Sequence, residues 1–187
     1  GKFEISGASY TKLDVTVKTK IGGHSGLDIA KKDRINAAKV IADYVALAPI
    51  GVINEDELGI VTSANLGCIL GGGIERTLNS AQKSKNPIEH ISQNCTDNVI
   101  NTTACAHYSI RSSNAWFEKE LIDAYKNIAD EIKKKYGENV QITIDVSEHL
   151  KPFEKSDDDT LVNIGREAAS KTGLKLDVSS FHAGAET

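Results

Sequence analysis

A histidine held between glycines is the feature of this sequence best suited to chemistry. His24 lies in the run Gly22-Gly23-His24-Ser25-Gly26, at the point where a strand-like stretch ends. Glycines on both sides allow close backbone approach and unusual dihedral angles. An imidazole mounted in this way can be aimed at a group outside its own domain. As a hydrogen-bond donor to developing negative charge it would contribute several kcal/mol, about 2.7–4 in a well-studied oxyanion hole.

Two other side chains are of types that can hold a peptide or a carboxylate. Asn98 begins the run Asn98-Val99-Ile100, and Arg111 ends a later strand-like stretch. An amide donates and accepts hydrogen bonds without bringing net charge, and a guanidinium fork matches the two oxygens of a carboxylate. Taken singly, each of the three side chains also has an ordinary explanation, as a turn, strand-end or solvated residue.

The sequence offers no complete hydrolytic centre. A two-zinc hydrolase needs about five His and carboxylate ligands and a carboxylate base. None of the histidines stands two residues before an aspartate, and no two glutamates are adjacent. A Gly-x-Ser-x-Gly nucleophile elbow is absent, and the run 71–73 lacks the Gly-Lys-Ser/Thr of a phosphate-binding loop. We therefore predict no metal site within this chain.

Hydrophobic periodicity predicts the elements that position these residues. Four strands are expected, over about 12–18, 60–69, 104–111 and 140–146. One helix is expected to begin at an Asp33 cap, and a second to begin at Ser113 or Asn114 and end at Gly137. The order β-α-β-β-α-β predicts an α+β, ferredoxin-like sandwich, with an antiparallel sheet and two helices on one of its faces. The other face is then open or covered by another chain.

The pattern changes after Pro152. Ser156 and Asp159 have the spacing of a capping box, and a helical stripe follows as far as Gly173. A strand is then expected over about 174–178, leading into the run His182-Ala183-Gly184-Ala185-Glu186. Because a helix followed by a strand does not complete the sandwich, we interpret this part as a fragment of a second, α/β domain.

These motifs together resemble the lid, or dimerisation, domain of the co-catalytic dizinc peptidases, a family that includes peptidase T, aminoacyl-histidine dipeptidase and relatives of carboxypeptidase G and aminoacylase. The resemblance runs from about Tyr10 to Glu186. It implies that residues 1–9 link from the catalytic domain, residues 10–150 form the lid, and residues 151–187 belong to the catalytic α/β domain.

The resemblance also implies roles for single residues. His24 would donate a hydrogen bond to the oxyanion of the tetrahedral intermediate, and in dimeric members it reaches the partner subunit's site. The local match is incomplete, because Asn101 stands where proline is usual. The implied substrate-binding residues are Asn98, Arg111, Gly184 and Glu186. Two zinc ions are implied for the parent enzyme, with ligands before Gly1 and after Thr187, so the fragment alone is expected to be inactive.

The expected function is that of a zinc-dependent metallopeptidase lid that acts on di- or tripeptides. A homodimer is expected through the lid, because an exposed sheet edge and an uncovered face tend to pair with a symmetry mate. Two alternatives stay open, an aminoacylase-like amide hydrolase and a stand-alone ferredoxin-like binding or dimerisation module, since fold alone does not decide function. The excursion over 71–97 would add a dimer contact or cover the active site.

Composition excludes several other classes. With 187 residues, a net charge of -4 and a pI near 5.8, the chain has no electrostatic case for nucleic acid or an anionic membrane. No apolar run approaches the roughly 20 residues of a membrane span. The three cysteines have no metal-ligand spacing and are odd in number, which favours reduced thiols and a cytoplasmic location.

Overall fold

A five-stranded antiparallel sheet is the centre of the protein, whose computed structural model describes residues 1–71 and 97–184. The elements in chain order are β1 (Lys2–Gly7), β2 (Tyr10–Thr19), β3 (Gly23–His24), α1 (Ala37–Leu47), β4 (Gly51–Asp56), β5 (Gly59–Gly71), β6 (Val99–Ile100), β7 (Thr103–Ser112), α2 (Ala115–Tyr136), a 3₁₀ turn (Gly137–Asn139), β8 (Val140–Leu150), α3 (Thr160–Lys171) and β9 (Asp177–Phe181). The strand order in the sheet is β4-β5-β7-β2-β8.

The central strand β2 shows why the sheet has one dry face. Leu13, Val15 and Val17 are fully buried, whereas Lys12 and Asp14 between them lie on the opposite, open face. Alternation of side chains is the geometry of any strand, so the polar–apolar pattern decides which face packs. β2 pairs antiparallel with β7 on one side and with β8 on the other.

Both long helices pack on the dry face of the sheet. Tyr44 of α1 donates a hydrogen bond from its hydroxyl to the carbonyl of Tyr125 in α2 at 2.9 Å, and the Tyr125 ring meets the Tyr108 ring of β7 edge-on at 4.8 Å. Burial raises the pKa of Tyr108 to about 12, so this hydroxyl stays protonated at any physiological pH. The α+β ferredoxin-like arrangement with both helices on one face is thus confirmed.

The helix caps correct one prediction and confirm another. α1 is capped by Asn36, whose Oδ1 accepts from the Ala38 amide at 2.9 Å, so the predicted cap at Asp33 is wrong. The Asp33 carboxylate instead pairs with the Arg34 guanidinium next to it. Asn114 caps α2 by accepting from two amides of the first turn, and Gly137, at φ +74°, ends that helix.

A fifth strand, β4, was not predicted from the sequence. It pairs antiparallel with β5 and forms one edge of the sheet. Ile50 and Val52 are more than half exposed there, and two register irregularities interrupt the pairing. Because both alternate faces of an exposed edge strand contact water or a partner, its sequence lacks the clean alternation of β2.

Outside the main sheet, strands at the two ends of the described chain pair with each other. β1 and β9 form a parallel two-stranded sheet, so residues 2–7 are a strand as well as a connection. β9 begins at Asp177, later than the expected 174–178 strand. Asp159 precedes α3 without a side-chain cap bond, so the predicted capping box does not form, and Asp158 instead accepts from the Thr160 amide at 2.9 Å.

The chain crosses between the two sheets twice, and the crossings are bonded to each other. Gly7 and Phe153 exchange two backbone hydrogen bonds, at 2.8 and 2.9 Å. The two sheets therefore meet at a junction where two short segments pair through their backbones.

Within the described residues, no helix is both long and apolar enough to span a membrane.

The packing of β2 predicts a strong contrast between neighbouring substitutions. Leu13→Ala removes a fully buried side chain from the core and is expected to lower the free energy of unfolding by about 2–5 kcal/mol. Lys12→Ala, on the open face, is expected to change it by less than about 0.5 kcal/mol. Urea unfolding followed by circular dichroism measures both. Equal effects of the two substitutions would contradict the assigned face of β2.

Candidate functional site

His24 lies in a two-stranded minisheet whose close packing leaves no room for side chains at the preceding glycines. β3 pairs antiparallel with β6, so that His24 faces Val99 and Gly23 faces Ile100. A Cβ at Gly22 would lie 2.7 Å from the Ile100 carbonyl oxygen, and a Cβ at Gly23 would lie 2.7 Å from Asp28. Both positions need glycine, because the β6 backbone occupies that space at Gly22 and the Asp28 side chain occupies it at Gly23.

Asp28 ties down the backbone on which His24 is mounted. Its Oδ2 accepts from the His24 amide at 2.9 Å, and its own amide donates to the His24 carbonyl at 2.8 Å. The hydrogen bond from Lys31 and then that from the His24 amide hold the pKa of the Asp28 carboxyl below its usual range. The loop therefore keeps an ionised tether at neutral pH.

The protonation pattern of the His24 ring follows from its own loop. The Gly26 amide donates to Nδ1 of His24 at 3.0 Å, so in the neutral imidazole the proton is on Nε2. The His24 side chain is exposed to solvent. The minisheet thus presents an N–H donor outward, on a ring whose tautomer the loop determines.

Asn98 lies beside His24 in the structure. Its carbonyl accepts from the Ser25 amide at 2.9 Å, which extends the β3–β6 pairing by one residue. Asn98 is exposed, as His24 is. Two of the residues predicted from sequence are therefore adjacent at the same end of the sheet, and we call them, with β3 and β6, the His24 minisheet.

Arg111 lies at the opposite end of the sheet. Its guanidinium carbon lies over the Tyr10 ring, 4.8 Å from the centroid, which is a cation–π distance. Within the described residues, no carboxylate lies at ion-pair distance from Arg111. The guanidinium is half-buried and stacked, and it has capacity for an anionic partner.

His182, which sequence reasoning did not assign, joins Arg111. Its Nε2 lies 2.7 Å from the hydroxyl oxygen of Ser63, the residue paired with Arg111 across β5 and β7. Burial, and then the positive charge of Arg111, lower the pKa of His182. The only sequence signal was its place in the loop with Gly184. We call Tyr10, Ser63, Arg111 and His182 the Arg111 cluster.

Gly184 is packed against Leu150 at the end of β8. A Cβ there would overlap Leu150 Cδ2, and the Ala183 carbonyl beside it accepts from the Ala8 amide at 3.1 Å. This close approach explains the glycine and brings the loop next to the Arg111 cluster, although its predicted contact with substrate stays a prediction. Glu186 lies outside the described residues.

The two groups of predicted residues lie at opposite ends of the same strand pair. Thr11 pairs with Ile110 near Arg111, and Lys18 pairs with Thr103 at the end of the strand pair that leads to the His24 minisheet. At the usual rise of a strand, the seven residue steps from Thr11 to Lys18 span roughly 24 Å. One chain therefore does not bring His24 and Arg111 into a single site.

The described residues do not fit a zinc centre. Across 1–71 and 97–184, no three His, Cys, Asp or Glu side chains stand close enough together to hold a metal ion. His90 and Cys95 lie outside those ranges. The His24 and Arg111 groups accordingly supply hydrogen-bond donors and a cation.

The burial of His182 predicts a pH-dependent junction. The pKa of His182 in the folded chain lies below the ordinary 6.5. Its contribution to the free energy of unfolding is therefore complete above that value and is lost as the pH falls through the lowered pKa. Amide hydrogen exchange in β9, corrected for intrinsic rates, should be less protected at about pH 5 than at about pH 7.5. His182→Gln should remove this difference, and an unchanged difference in the variant would contradict the assignment.

Comparison with known proteins gives likenesses of fold. No family model matches the sequence, and the search of curated proteins finds no match. Among solved structures, the chain is similar to the aminopeptidase PepT of Bacillus cereus, with a TM-score of 0.75 and 18% identity, over 99% of this chain and 41% of that one. A tripeptidase from Staphylococcus aureus gives a TM-score of 0.72 and 15% identity, over 98% and 40%.

An amidase of the hydantoinase/carbamoylase family from Burkholderia multivorans is similar as well, with a TM-score of 0.64 and 16% identity, over 96% of this chain and 36% of that one. The chain thus spans about two fifths of the length of the peptidases that it resembles. At these identities the likeness concerns the fold, and for the fold it confirms the expected resemblance. Nearly the whole chain shares the fold of part of each of these two peptidases and of this amidase.

Proposed function

We propose that this chain is the lid and dimerisation domain of a zinc-dependent metallopeptidase that hydrolyses short peptides, together with adjoining strands of its catalytic domain. The observation that carries the proposal is the outward Nε2–H of His24, whose ring has a defined tautomer and lies beside Asn98. The fold shared with a tripeptidase and with PepT supports the same function. The zinc ligands of the enzyme are, in this proposal, residues other than those described.

His24 acts as a donor to the oxyanion that forms when a peptide carbonyl is attacked. The Gly26 amide holds Nδ1, so the donor is present before the reaction and the ring does not have to change its protonation. A preorganised donor stabilises the transition state more than the ground state, because the charge develops only there. Asn98, adjacent and exposed, positions the peptide backbone by its amide.

Arg111 binds the terminal carboxylate of the peptide. Stacking on Tyr10 leaves the edge of the guanidinium available for two parallel hydrogen bonds to a carboxylate. The neutral His182 at its side adds no competing positive charge, since burial and Arg111 itself lower the His182 pKa. The loop that ends at Gly184 closes this end of the site.

A second copy of the chain is needed to complete the site. An extended tripeptide is at most about 11 Å long, whereas roughly 24 Å of strand separate the two groups of residues. We therefore assign His24 and Asn98 to the active site of the partner subunit, and Arg111 and His182 to the active site of their own chain. Each site of the dimer then combines the His24 minisheet of one subunit with Arg111 of the other.

The β4 edge is the surface that we assign to this dimer. Leu47, Ile50 and Val52 are each more than half exposed along it. The open face of the sheet is unsuited to a dry interface, because β2 presents Lys12 and Asp14 there. An unpaired edge with apolar side chains is the usual template for strand pairing between copies.

The parallel pair β1–β9 fits the second half of the proposal. Parallel sheets occur almost only where helices cover both faces, and two strands alone are too few for such a core. Leu161 and Ile164 of α3 and the following Leu174 are largely exposed. We infer that residues 1–9 and 151–187 belong to a catalytic α/β domain, whose other parts cover these side chains.

Hydrolysis of non-peptide amides is the second candidate. It is favoured by the structural likeness to an amidase of the hydantoinase/carbamoylase family. The same donor and the same arginine serve either reaction, because both proceed through an oxyanion next to a substrate carboxylate. Initial rates of the full-length enzyme on unblocked di- and tripeptides, compared with N-acyl and N-carbamoyl amino acids, distinguish the two candidates.

Mixing two inactive variants of the full-length enzyme tests the shared site. His24→Ala and Arg111→Ala should each reduce kcat/KM by about a hundredfold or more, the scale of losing one oxyanion donor. In a one-to-one mixture, half of the dimers are mixed, and each of these has one intact site. About a quarter of wild-type activity should return.

The control for this experiment is the double variant with both substitutions on one chain, mixed with wild type. Recovery in the first mixture with none in the absence of subunit exchange establishes that His24 acts in the partner's site. An exchanged mixture that stays inactive would contradict the assignment, and full activity of His24→Ala alone would contradict the oxyanion role.

The dimer edge predicts a difference between two matched valines. Val52→Lys, on the β4 edge, places a charge in the proposed interface and should raise the dimer dissociation constant at least about tenfold. Val146→Lys makes the same change on β8, at the opposite edge, and should have little effect. Light scattering during dilution measures both. A larger effect of the β8 substitution would place the interface there instead.

A further inference from the structure

A cysteine, a histidine and an aspartate are linked by hydrogen bonds on the open face of the sheet, and none of the three belongs to the proposed peptidase site. Cys105 and His107 are alternate residues of β7, and Asp14 is paired with His107 on β2. The Cys105 Sγ lies 3.6 Å from His107 Nε2, and His107 Nδ1 lies 2.6 Å from Asp14 Oδ1. The order thiol, imidazole, carboxylate is that of a proton relay.

The direction of these hydrogen bonds follows from the types of the groups. An ionised carboxylate only accepts, so Nδ1 of His107 donates to Asp14 and Nε2 is left as the acceptor. The Cys105 thiol is then the donor to Nε2. The carboxylate thus holds the ring in the tautomer and orientation in which it can remove the thiol proton.

The thiol needs such a base. Burial raises the pKa of Cys105, and the neighbouring Cys68 and Asp14 raise it further. At neutral pH the group is therefore a protonated thiol, and its reaction as a nucleophile depends on transfer of the proton. Cys68 is also a partly exposed free thiol, on the adjacent strand β5, and it is paired there with His107. It provides an internal comparison.

A depression of about 360 Å³ lies next to the relay. It is lined by residues of β2, β5 and β7, including Lys12, Asp14, Gly67 and His107. Asp14 is engaged with His107, whereas among the described residues no carboxylate lies at ion-pair distance from Lys12. Lys12 therefore supplies one cation in the depression that adjoins His107 and Asp14, which suits a small molecule that carries a carboxylate.

We propose that Cys105 is a base-assisted site of S-thiolation by small, carboxylate-bearing disulfides. His107 Nε2 takes the proton from the Cys105 thiol, and the sulfur attacks one sulfur of the disulfide. The new bond between Cys105 Sγ and that sulfur forms as the disulfide of the reagent breaks, and the leaving thiolate takes the proton from His107. Cys105 is oxidised and half of the reagent is reduced, so no further electron acceptor is needed.

The test uses this chain with Cys95 replaced by serine, treated with oxidised glutathione, and follows the mixed disulfides on Cys105 and Cys68 by mass spectrometry of peptides. Cys105 is expected to react on the order of a hundredfold faster than Cys68, the low end of base assistance. His107→Gln should remove most of this preference, whereas Ser109→Ala, on the same face of β7, should keep it. Circular dichroism checks that the variants are folded.

The same experiment contains the results that overturn the proposal. Equal rates at Cys68 and Cys105 in the parent chain, or a preference that His107→Gln leaves unchanged, would exclude base assistance. If His107→Gln does not fold, Asp14→Asn serves instead and should lower the Cys105 rate several-fold. Lys12→Gln should slow the reaction with oxidised glutathione but not with cystamine, a cationic disulfide. Equal slowing of both would exclude the proposed preference for carboxylates.

Discussion

The antiparallel pairing of β2 with both β7 and β8 is the constraint on which the rest of the structure depends. Side chains alternate along a strand, so a shift of one residue would move Leu13, Val15 and Val17 from the helices to water. Burial of these three side chains therefore determines the register. The same register places His107 opposite Asp14, and it places Arg111 next to Tyr10 at the end of the sheet.

Candidate chemistry occurs where this regular pairing stops. The His24 minisheet and the Arg111 cluster lie at the two ends of the β2–β7 pair. There, backbone groups leave the ladder of hydrogen bonds and side chains can face another molecule. In both places, a short network replaces the ladder. Asp28 and Gly26 hold the His24 loop, whereas Ser63 and Tyr10 hold the arginine end. Rigid strands between them keep the two ends apart, which is why the proposed active site needs two chains.

The junction between the two sheets has a different physical character. Gly7 and Phe153 pair through the backbone, and His182, whose pKa burial lowers, contacts the Ser63 hydroxyl from the loop after β9. Hydrogen bonds between segments far apart in the chain therefore join the two sheets there. The thiol relay of Cys105 lies on the open face between that junction and the His24 minisheet, where it is accessible without disturbing the core.

Much of the fold could be predicted from local signals, because the periodicity of β2, β7, β8 and the two long helices agrees with their burial. The edge strand β4, the cap at Asn36 and the strand β1 could not, since an edge lacks alternation and a cap depends on which side chain reaches the amide. For the site, the glycines around His24 were informative because they permit a backbone that no other residue would.

What the sequence by itself determined was the face of each strand and helix and the presence of a glycine-mounted histidine, because these depend on spacing along the chain. Only the tertiary structure decided that Asn98 adjoins His24, that His182 joins Arg111 and that Cys105 contacts His107. Those contacts join residues far apart in sequence or depend on rotamers across a strand pair. They follow from register and packing, which are properties of the whole sheet rather than of any segment.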